Sequence, residues 1–286
     1  MTEIENYLAP TTIAEATEAL AAGGVVVLAG GTDLMLQLES KSDGTTLMNV
    51  RRVAEMQGVT VDGDRVRIGA LASVSDMMSD PVIAETAPVI AETADRFASN
   101  QIRNLATIGG NICNASPAGD MIIPLMLLDT DVELSRWHGG KVETRNVPLD
   151  EFFTGPGKSV MAADELLTAV SYVKPAAGFF AGFDKTGPRP ALEISMVSVG
   201  VAGVRSAGGL SSPRVAYGSV GPTPVRGHKV EAAIDGQTLN DDVVAAALAA
   251  ADEDVSPISD VRASDWYRRH LVRVMTQEVL NNVANG

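Results

Sequence analysis

The fold is decided by the stretch Val25-Val26-Val27-Leu28-Ala29-Gly30-Gly31-Thr32-Asp33-Leu34. Its β-branched start predicts a buried strand, because such side chains suit a pleated surface that is covered on both faces. We expect Gly30 and Gly31 to turn the backbone sharply with positive φ, and neither has a Cβ that would obstruct a bulky ligand. Successive amides in such a turn form a concave anion site, which a helix N-terminus beside it strengthens. With the Thr32 hydroxyl as a further donor, the stretch predicts a phosphate-binding turn.

A second threonine and glycine pair occurs in Thr107-Ile108-Gly109-Gly110-Asn111. Two such turns could hold a pyrophosphate from both sides. Neither is the G-x-G-x-x-G of a Rossmann dinucleotide site, since the first turn has no third glycine. A strand that ends in two glycines is common, and most such turns bind nothing. The two turns together therefore indicate a pyrophosphate site more strongly than either turn alone.

The composition is that of a globular protein. Hydrophobic residues make up 45% of the 286 residues, the net charge is −14, and lysines and arginines do not cluster, which argues against nucleic-acid partners. No signal peptide is visible at the start, and no apolar run reaches the ~20 residues that span a bilayer, so we expect a soluble cytoplasmic protein without a membrane span. The single cysteine, Cys113, excludes an internal disulfide framework and a cysteine-ligated iron–sulfur cluster held by this chain alone.

Secondary-structure patterns divide the chain into three units, which we predict to span residues 1–55, 56–175 and 176–286. The first alternates helices and strands and predicts a small α/β lobe. The second opens with a hairpin signature, in which two short apolar runs flank Asp62-Gly63. The third alternates strands with amphipathic helices, for which a sheet backed by helices is the natural packing.

Two helices within these units carry specific expectations. In the second unit we expect one helix over residues 84–97, with Pro88 near its start. In the third unit, the helix over residues 264–282 should have Ser264 as its N-cap. This unit also has a basic edge, formed by Arg262, Arg268 and Arg269. A solvated helix face explains it, and contact with an acidic partner subunit is the alternative.

Three further side chains are candidates for chemistry, and each also has a simpler structural explanation. Asp120 could hydrogen-bond a ligand hydroxyl, but taken alone it is better explained as the cap of the apolar helix that follows it. Lys185 ends a predicted strand and could pair with a phosphate, whereas most surface lysines are solvated cations. Cys113 has no neighbouring cation in sequence and is expected to be a small buried hydrophobe. The three histidines show no metal-ligand spacing, so we predict no metal site.

Taken in order, these segments resemble the FAD-binding medium subunit of the molybdenum hydroxylases, the family that contains bacterial xanthine dehydrogenase, carbon monoxide dehydrogenase and nicotine dehydrogenase. The resemblance covers nearly the whole chain, and its motifs are highly specific in this order and at these separations. The motifs are Ala29-Gly30-Gly31-Thr32-Asp33, Gln101-Ile102-Arg103-Asn104 before Thr107-Ile108-Gly109-Gly110-Asn111, Asn114-Ala115-Ser116-Pro117-Ala118-Gly119-Asp120, Phe153-Thr154-Gly155-Pro156-Gly157-Lys158, Arg189-Pro190-Ala191-Leu192-Glu193-Ile194-Ser195 and Arg262-Ala263-Ser264-Asp265-Trp266-Tyr267-Arg268.

The resemblance implies an α+β fold, in which a two-lobed α/β FAD-binding domain of the vanillyl-alcohol-oxidase/PCMH type precedes a C-terminal domain of sheet and helices. It implies that residues 26–33 and 107–111 bind the FAD pyrophosphate and that Asp120 binds the ribityl or ribose portion. The backbone near Leu166 would contact the adenine, and Lys185 would lie near the flavin. The cofactor-binding residues are thus expected to be Val26, Val27, Leu28, Ala29, Gly30, Gly31, Thr32, Asp33, Thr107, Ile108, Gly109, Gly110, Asn111, Asp120, Leu166 and Lys185.

The resemblance also bears on whether FAD is attached covalently and on whether any side chain of this chain acts as a catalyst. Relatives of this fold that bond flavin covalently do so through a histidine or a cysteine. No histidine lies near either glycine turn in sequence, so we expect non-covalent FAD. No side chain of this chain is expected to be a catalytic acid or base, because the isoalloxazine ring performs the redox chemistry.

The implied activity is electron transfer within a complex. Substrate would be hydroxylated at a molybdenum cofactor in a large subunit, and electrons would pass through two [2Fe-2S] clusters in a small subunit to this chain, in a dimer of heterotrimers. The final acceptor would be NAD, a quinone, a carrier protein or oxygen.

Two alternative functions stay open. A free-standing FAD-dependent reductase or oxidase of the same fold would need its own proton donor, for which no candidate is clear. A scaffold subunit without cofactor would not need two glycine turns.

Overall fold

The first of three successive β-sheets contains the strand that leads into the first glycine turn. The computed structural model describes residues 4–38, 45–189, 193–206 and 209–285. Parallel strands β1 (Ile4–Leu8), β2 (Val25–Leu28) and β3 (Thr45–Asn49) lie in the order β1–β3–β2, and helices α1 (Ile13–Ala21) and α2 (Leu34–Leu38) follow β1 and β2. Because β2 is an edge strand, its side chains are half-buried and not buried on both faces as the sequence predicts.

The second sheet is antiparallel and has five strands in the order β4–β5–β10–β6–β7, while β8 and β9 form a separate two-stranded ribbon. Its hairpin is confirmed, since Asp62 pairs with Arg65 and Gly63 has φ of +60°. The strands are β4 (Val59–Asp62), β5 (Arg65–Gly69), β6 (Asp131–His138), β7 (Lys141–Pro148), β8 (Phe153–Gly155), β9 (Lys158–Ser159) and β10 (Glu165–Val173). The helices are α3 (Val74–Ser79), α4 (Pro81–Thr86), α5 (Pro88–Asp95), α6 (Asn100–Arg103), α7 (Ile108–Cys113), α8 (Ile122–Met126) and α9 (Leu149–Phe152).

The single helix expected over residues 84–97 is wrong, because the structure has two helices, α4 and α5, that meet at Ala87. Ala87 has φ of −151° and ψ of +59°, outside the helical region. Pro88 is the cause, since a proline has no amide hydrogen and disfavours the helical conformation of the residue before it. Pro88 instead occupies the first position of α5, where no amide is needed.

The third sheet is antiparallel and lies between two layers of helices. Strands β11 (Phe179–Thr186), β12 (Val197–Ser206), β13 (Gly209–Gly218) and β14 (Val225–Arg226) follow one another in chain order, and one face packs against α12. The other face meets α8 closely enough that a Cβ on Gly200 would lie 2.8 Å from the side chains of Ile123 and Leu127. The three helices after the sheet are α10 (His228–Ile234), α11 (Asp241–Asp254) and α12 (Asp265–Asn285).

The start of α12 confirms one expectation and corrects another. Ser264 caps the helix by accepting a hydrogen bond from the Tyr267 amide at 3.2 Å. Arg268 does not lie on a solvated face, because it is 3% exposed and its guanidinium donates to Asp260 at 2.8 Å and to the carbonyl oxygens of Met196 and Ser219.

Within the described residues, no helix is long and apolar enough to span a membrane. The expected division of the chain at residues 55 and 175 stays a prediction.

Acid unfolding should depend on Asp260. Burial acts to raise its pKa, but hydrogen bonds from the Arg262 amide, the Arg268 guanidinium and the Ala263 amide outweigh burial and hold the pKa at about 2. The unfolded pKa is about 3.9, so the stability that this carboxylate contributes is complete above about pH 4 and is lost as the pH falls toward 2. We expect Asp260→Asn to lower the thermal midpoint near neutral pH and to flatten its dependence on pH in this window. Equal pH slopes for the two proteins, measured by circular dichroism, would contradict this.

Candidate functional site

A cleft of about 590 Å³ brings the two glycine segments together. Its volume is in the range of sites for large organic ligands. One wall is the first glycine turn, residues 29–33, and the facing wall contains Thr107, Gly109, Gly110 and Asn111. The loop that ends at Asp120 and the start of β10 at Leu166 also contribute to the lining. The cleft therefore lies between the first and second sheets, at the position that the sequence predicts for a pyrophosphate.

The first glycine turn lines this cleft, and its backbone amides are candidate donors to a ligand. The amides of residues 30–33 have no hydrogen-bond partner within the part of the chain that the structure describes. Only Gly31 has a positive φ, of +74°, which corrects the expectation for Gly30. Gly30 is required for a different reason, since a Cβ there would lie 1.9 Å from the carbonyl oxygen of Leu105. Its missing side chain thus makes room for protein backbone, and the four amides of the turn find no acceptor in the described ranges of the chain.

The second glycine segment is the first turn of α7 and not an open turn. Thr107 is the N-cap, and its Oγ1 accepts from the Gly110 amide at 3.1 Å. The amides of Ile108 and Gly109 donate to the carbonyl oxygens of Ala72 and Ala70, so they are unavailable to a ligand. Asn111 offers the remaining polarity, because its Oδ1 is buried and has no partner among the described residues. A short helix therefore replaces the expected second nest of amides.

Asp120 and Lys185 form a buried ion pair. Lys185 Nζ lies 2.8 Å from Asp120 Oδ2, and each side chain is 6% exposed. Asp120 Oδ1 accepts from Ser195 Oγ at 2.7 Å. Asp120 does not cap α8, whose N-cap, Met121, makes no side-chain hydrogen bond. Neither simpler explanation therefore holds, since Asp120 is not a cap and Lys185 is not a solvated cation.

The structure brings most of the predicted site residues to the cleft. Four of them do not line it, namely Val26, Leu28, Ile108 and Lys185, and Lys185 instead reaches it through Asp120. The cleft is also lined by residues that the sequence did not predict as site residues, although most of them belong to the family motifs. These residues are Ser116, Gly119, Gly157, Met161, Glu165, Glu193 and Ile194. Among these, Glu165 accepts from Arg145 at 2.5 Å, and this guanidinium lowers the pKa of the carboxyl below its ordinary value.

Cys113 is exposed on the cleft wall, and the expectation of a buried hydrophobe is wrong. Nearby protein atoms nevertheless shield the thiol in part from water. This desolvation raises the pKa of Cys113 to about 12. The side chain is therefore a neutral thiol at physiological pH, with little of the thiolate that reacts as a nucleophile.

Two family matches along the chain define its class as a flavoprotein. Residues 2–172 match the family described as "FAD binding domain in molybdopterin dehydrogenase", and residues 184–283 match "CO dehydrogenase flavoprotein C-terminal domain". The first match alone covers more than half of the chain. The chain belongs to the family of FAD-binding medium subunits of the molybdenum hydroxylases. It is thus an FAD-binding oxidoreductase subunit, and the predicted α+β fold of an FAD-binding domain followed by a C-terminal domain is confirmed.

Similar proteins align over nearly their whole length. A putative xanthine dehydrogenase FAD-binding subunit of Escherichia coli (strain K12) is 32% identical, with 98% of this chain and 96% of the relative covered. The glyceraldehyde dehydrogenase medium chain of Sulfolobus acidocaldarius is also 32% identical, with 90% of each chain covered. Among solved structures, a chain of carbon monoxide dehydrogenase from Hydrogenophaga pseudoflava superposes with a TM-score of 0.92 at 27% identity, over 99% of this chain and 98% of that one.

Proposed function

We propose that this chain is the electron-transfer subunit of a molybdenum-containing hydroxylase complex. It would carry FAD non-covalently, accept electrons from iron–sulfur clusters of a small partner subunit, and pass them to an external acceptor such as NAD, a quinone or oxygen. The large partner subunit would hold the molybdenum cofactor, and the assembly would be a cytoplasmic dimer of heterotrimers. The isoalloxazine ring of FAD supplies the redox chemistry, so the side chains of this chain bind and orient it.

The observation that carries the proposal is a row of backbone amides, at residues 30–33 of the cleft lining, that have no acceptor among the described residues. Four adjacent N–H donors without partners are costly unless a ligand or water satisfies them. Gly31 in the left-handed region is typical of backbone nests that bind phosphate oxygens. The buried and unpartnered Oδ1 of Asn111 on the facing wall indicates a polar ligand there too. These groups fit the pyrophosphate of FAD.

The proposed roles of the other residues follow from their places around the cleft. The first glycine turn would hold the pyrophosphate, with residues 26–28 and 107–111 as its support. Asp120 would accept hydrogen bonds from ribityl or ribose hydroxyls, because a carboxylate oxygen can accept more than the one bond each makes here. Lys185 would lie near the flavin and hold the Asp120 carboxylate in place. The Leu166 backbone, beside buried Glu165, would contact the adenine.

Non-covalent attachment is favoured by the groups around the cleft. None of the three histidines lines it. Cys113 does, but a thiol with a pKa of about 12 is a poor nucleophile at neutral pH.

Acid precipitation tests the proposed cofactor and its attachment. The purified chain should show flavin absorption bands, and these bands should move wholly into the supernatant when the protein is precipitated with acid. HPLC of the supernatant should identify FAD. Bands that stay with the pellet would contradict non-covalent attachment, and a colourless chain that takes up no added FAD would overturn the proposed function and favour a scaffold.

Co-purification separates the subunit from a free-standing enzyme. A tagged chain expressed in its native host should bring down two partners, one of them rich in cysteine, in a complex that contains molybdenum. Isolation of the chain alone with bound FAD, together with turnover of a small substrate, would favour the free-standing reductase or oxidase.

A further inference from the structure

A chain of buried and partly buried hydrogen bonds connects α12 to the wall of the cleft. Arg268 donates through Nη1 to the carbonyl oxygens of Met196 and Ser219, the second at 2.8 Å. Ser219 donates its hydroxyl to the carbonyl oxygen of Ser195 at 2.9 Å. Ser195 donates its own hydroxyl to Asp120 Oδ1 at 2.7 Å. The chain therefore ends on a carboxylate that lines the cleft.

The Asp120 carboxylate is held by donors that lie outside its own loop. An arginine side chain can only donate hydrogen bonds, and carbonyl and carboxylate oxygens can only accept them. Each serine hydroxyl therefore uses its single hydrogen to donate, Ser219 to a carbonyl oxygen and Ser195 to the carboxylate. The two side-chain donors to Asp120, Ser195 and Lys185, belong to the part of the chain that builds the third sheet. The Ser219 amide also donates to the carbonyl oxygen of Pro117 at 2.8 Å, which ties the backbone of the Asp120 loop to the same sheet.

The burial of Arg268 is difficult to explain by stability alone. The side chain is 4% exposed, and its Nε has no hydrogen-bond partner among the described residues. Removing a guanidinium from water costs free energy, and apolar residues of similar volume often fill such a position at least as stably. A geometric role accounts for this arginine better, since its Nη1 holds two carbonyl oxygens from different segments of the chain in one place.

We propose that Ser195, Ser219 and Arg268 are positioning residues for FAD, which act by holding the Asp120 carboxylate in the orientation that receives a cofactor hydroxyl. The inference rests on the proposed function. A carboxylate that is already fixed loses no rotamer freedom when the cofactor binds, so its support strengthens binding without contact to the ligand. The C-terminal domain thereby contributes to cofactor affinity from behind the cleft wall.

A double-mutant cycle with FAD as the probe tests this inference. The Kd of FAD is measured by fluorescence titration of the full chain after its cofactor has been removed. Ser195→Ala and Ser219→Ala are each introduced into two backgrounds: first the chain that keeps Asp120, then the Asp120→Asn variant. We expect Ser195→Ala to raise the Kd roughly tenfold in the first background, as for a lost hydrogen bond to a charged group. In the Asp120→Asn background its effect should fall to about twofold or less, because residues of one network are not additive. Ser219→Ala should follow the same pattern with a smaller effect.

Ser198→Ala is the matched control. Ser198 is a buried serine on β12 whose hydroxyl has no partner among the described residues, so its removal should leave the Kd unchanged. An unchanged Kd for Ser195→Ala, or an equal effect in both backgrounds, would overturn the inference. These outcomes are distinct from failure of the proposed function, in which the unsubstituted chain itself binds no FAD.

Discussion

Gly30→Ala is expected to destabilise the chain by about 3 kcal/mol and to abolish retention of FAD. The added Cβ would lie 1.9 Å from the carbonyl oxygen of Leu105 and 2.7 Å from its carbonyl carbon. Both atoms belong to the backbone, so no change of rotamer relieves the contact and the two segments must move apart. Because the φ of Gly30 lies outside the positive region, this contact is the cause of the loss. Urea unfolding and flavin absorbance measure the two effects.

Gly155→Ala is the matched control for this substitution. Gly155 also has no positive φ, and a Cβ there would meet only Cδ of the Lys158 side chain, at 4.0 Å. We expect wild-type stability and flavin content for this variant. If Gly30→Ala behaved in the same way, the close packing of the first glycine turn on residues 105–106 would be contradicted. If it lost stability but kept FAD, the proposed role of the turn would be wrong.

Lys185→Met is expected to lower the free energy of unfolding by about 3 kcal/mol, because it leaves the buried Asp120 carboxylate without its cation. Burial makes this pair different from a surface ion pair, since an uncompensated charge in the interior keeps its full desolvation penalty. The variant should also retain less FAD, since Asp120 loses one of the two donors that orient it. Chemical denaturation and the flavin content of the purified protein are the measurements.

The double variant Asp120→Asn/Lys185→Met should recover part of this loss of stability, because it removes both charges together. Lys229→Met is the surface control. Lys229 pairs with Glu253, but the two side chains are 53% and 66% exposed, so solvent screening should leave little effect. A loss for Lys229→Met equal to that for Lys185→Met would contradict the role of burial. Full retention of stability by Lys185→Met would contradict the ion pair itself.

The sequence predicted the elements whose causes lie within a few residues of one another. The hairpin at Asp62-Gly63 and the cap of α12 by Ser264 depend on local turn and cap chemistry, and both are confirmed. The single helix expected over residues 84–97 is wrong for a local reason too, because Pro88 disfavours the helical conformation of the residue before it. The motifs also predicted the family, since their order and separation are specific even though each is weak alone.

By itself, the sequence determined where the two glycine segments lie, that one cysteine cannot hold a cluster, and which family the chain belongs to. Which amides lack an acceptor depends on tertiary packing, because those of Ile108 and Gly109 donate to residues 72 and 70, while those of the first glycine turn have no acceptor in the part of the chain that is described. The tertiary structure also decided that Asp120 meets Lys185 and Ser195, which are distant in sequence, and that Arg268 is buried. The physical reason is that free donors and buried charges depend on which distant segments pack together, and no spacing along the chain encodes that packing directly.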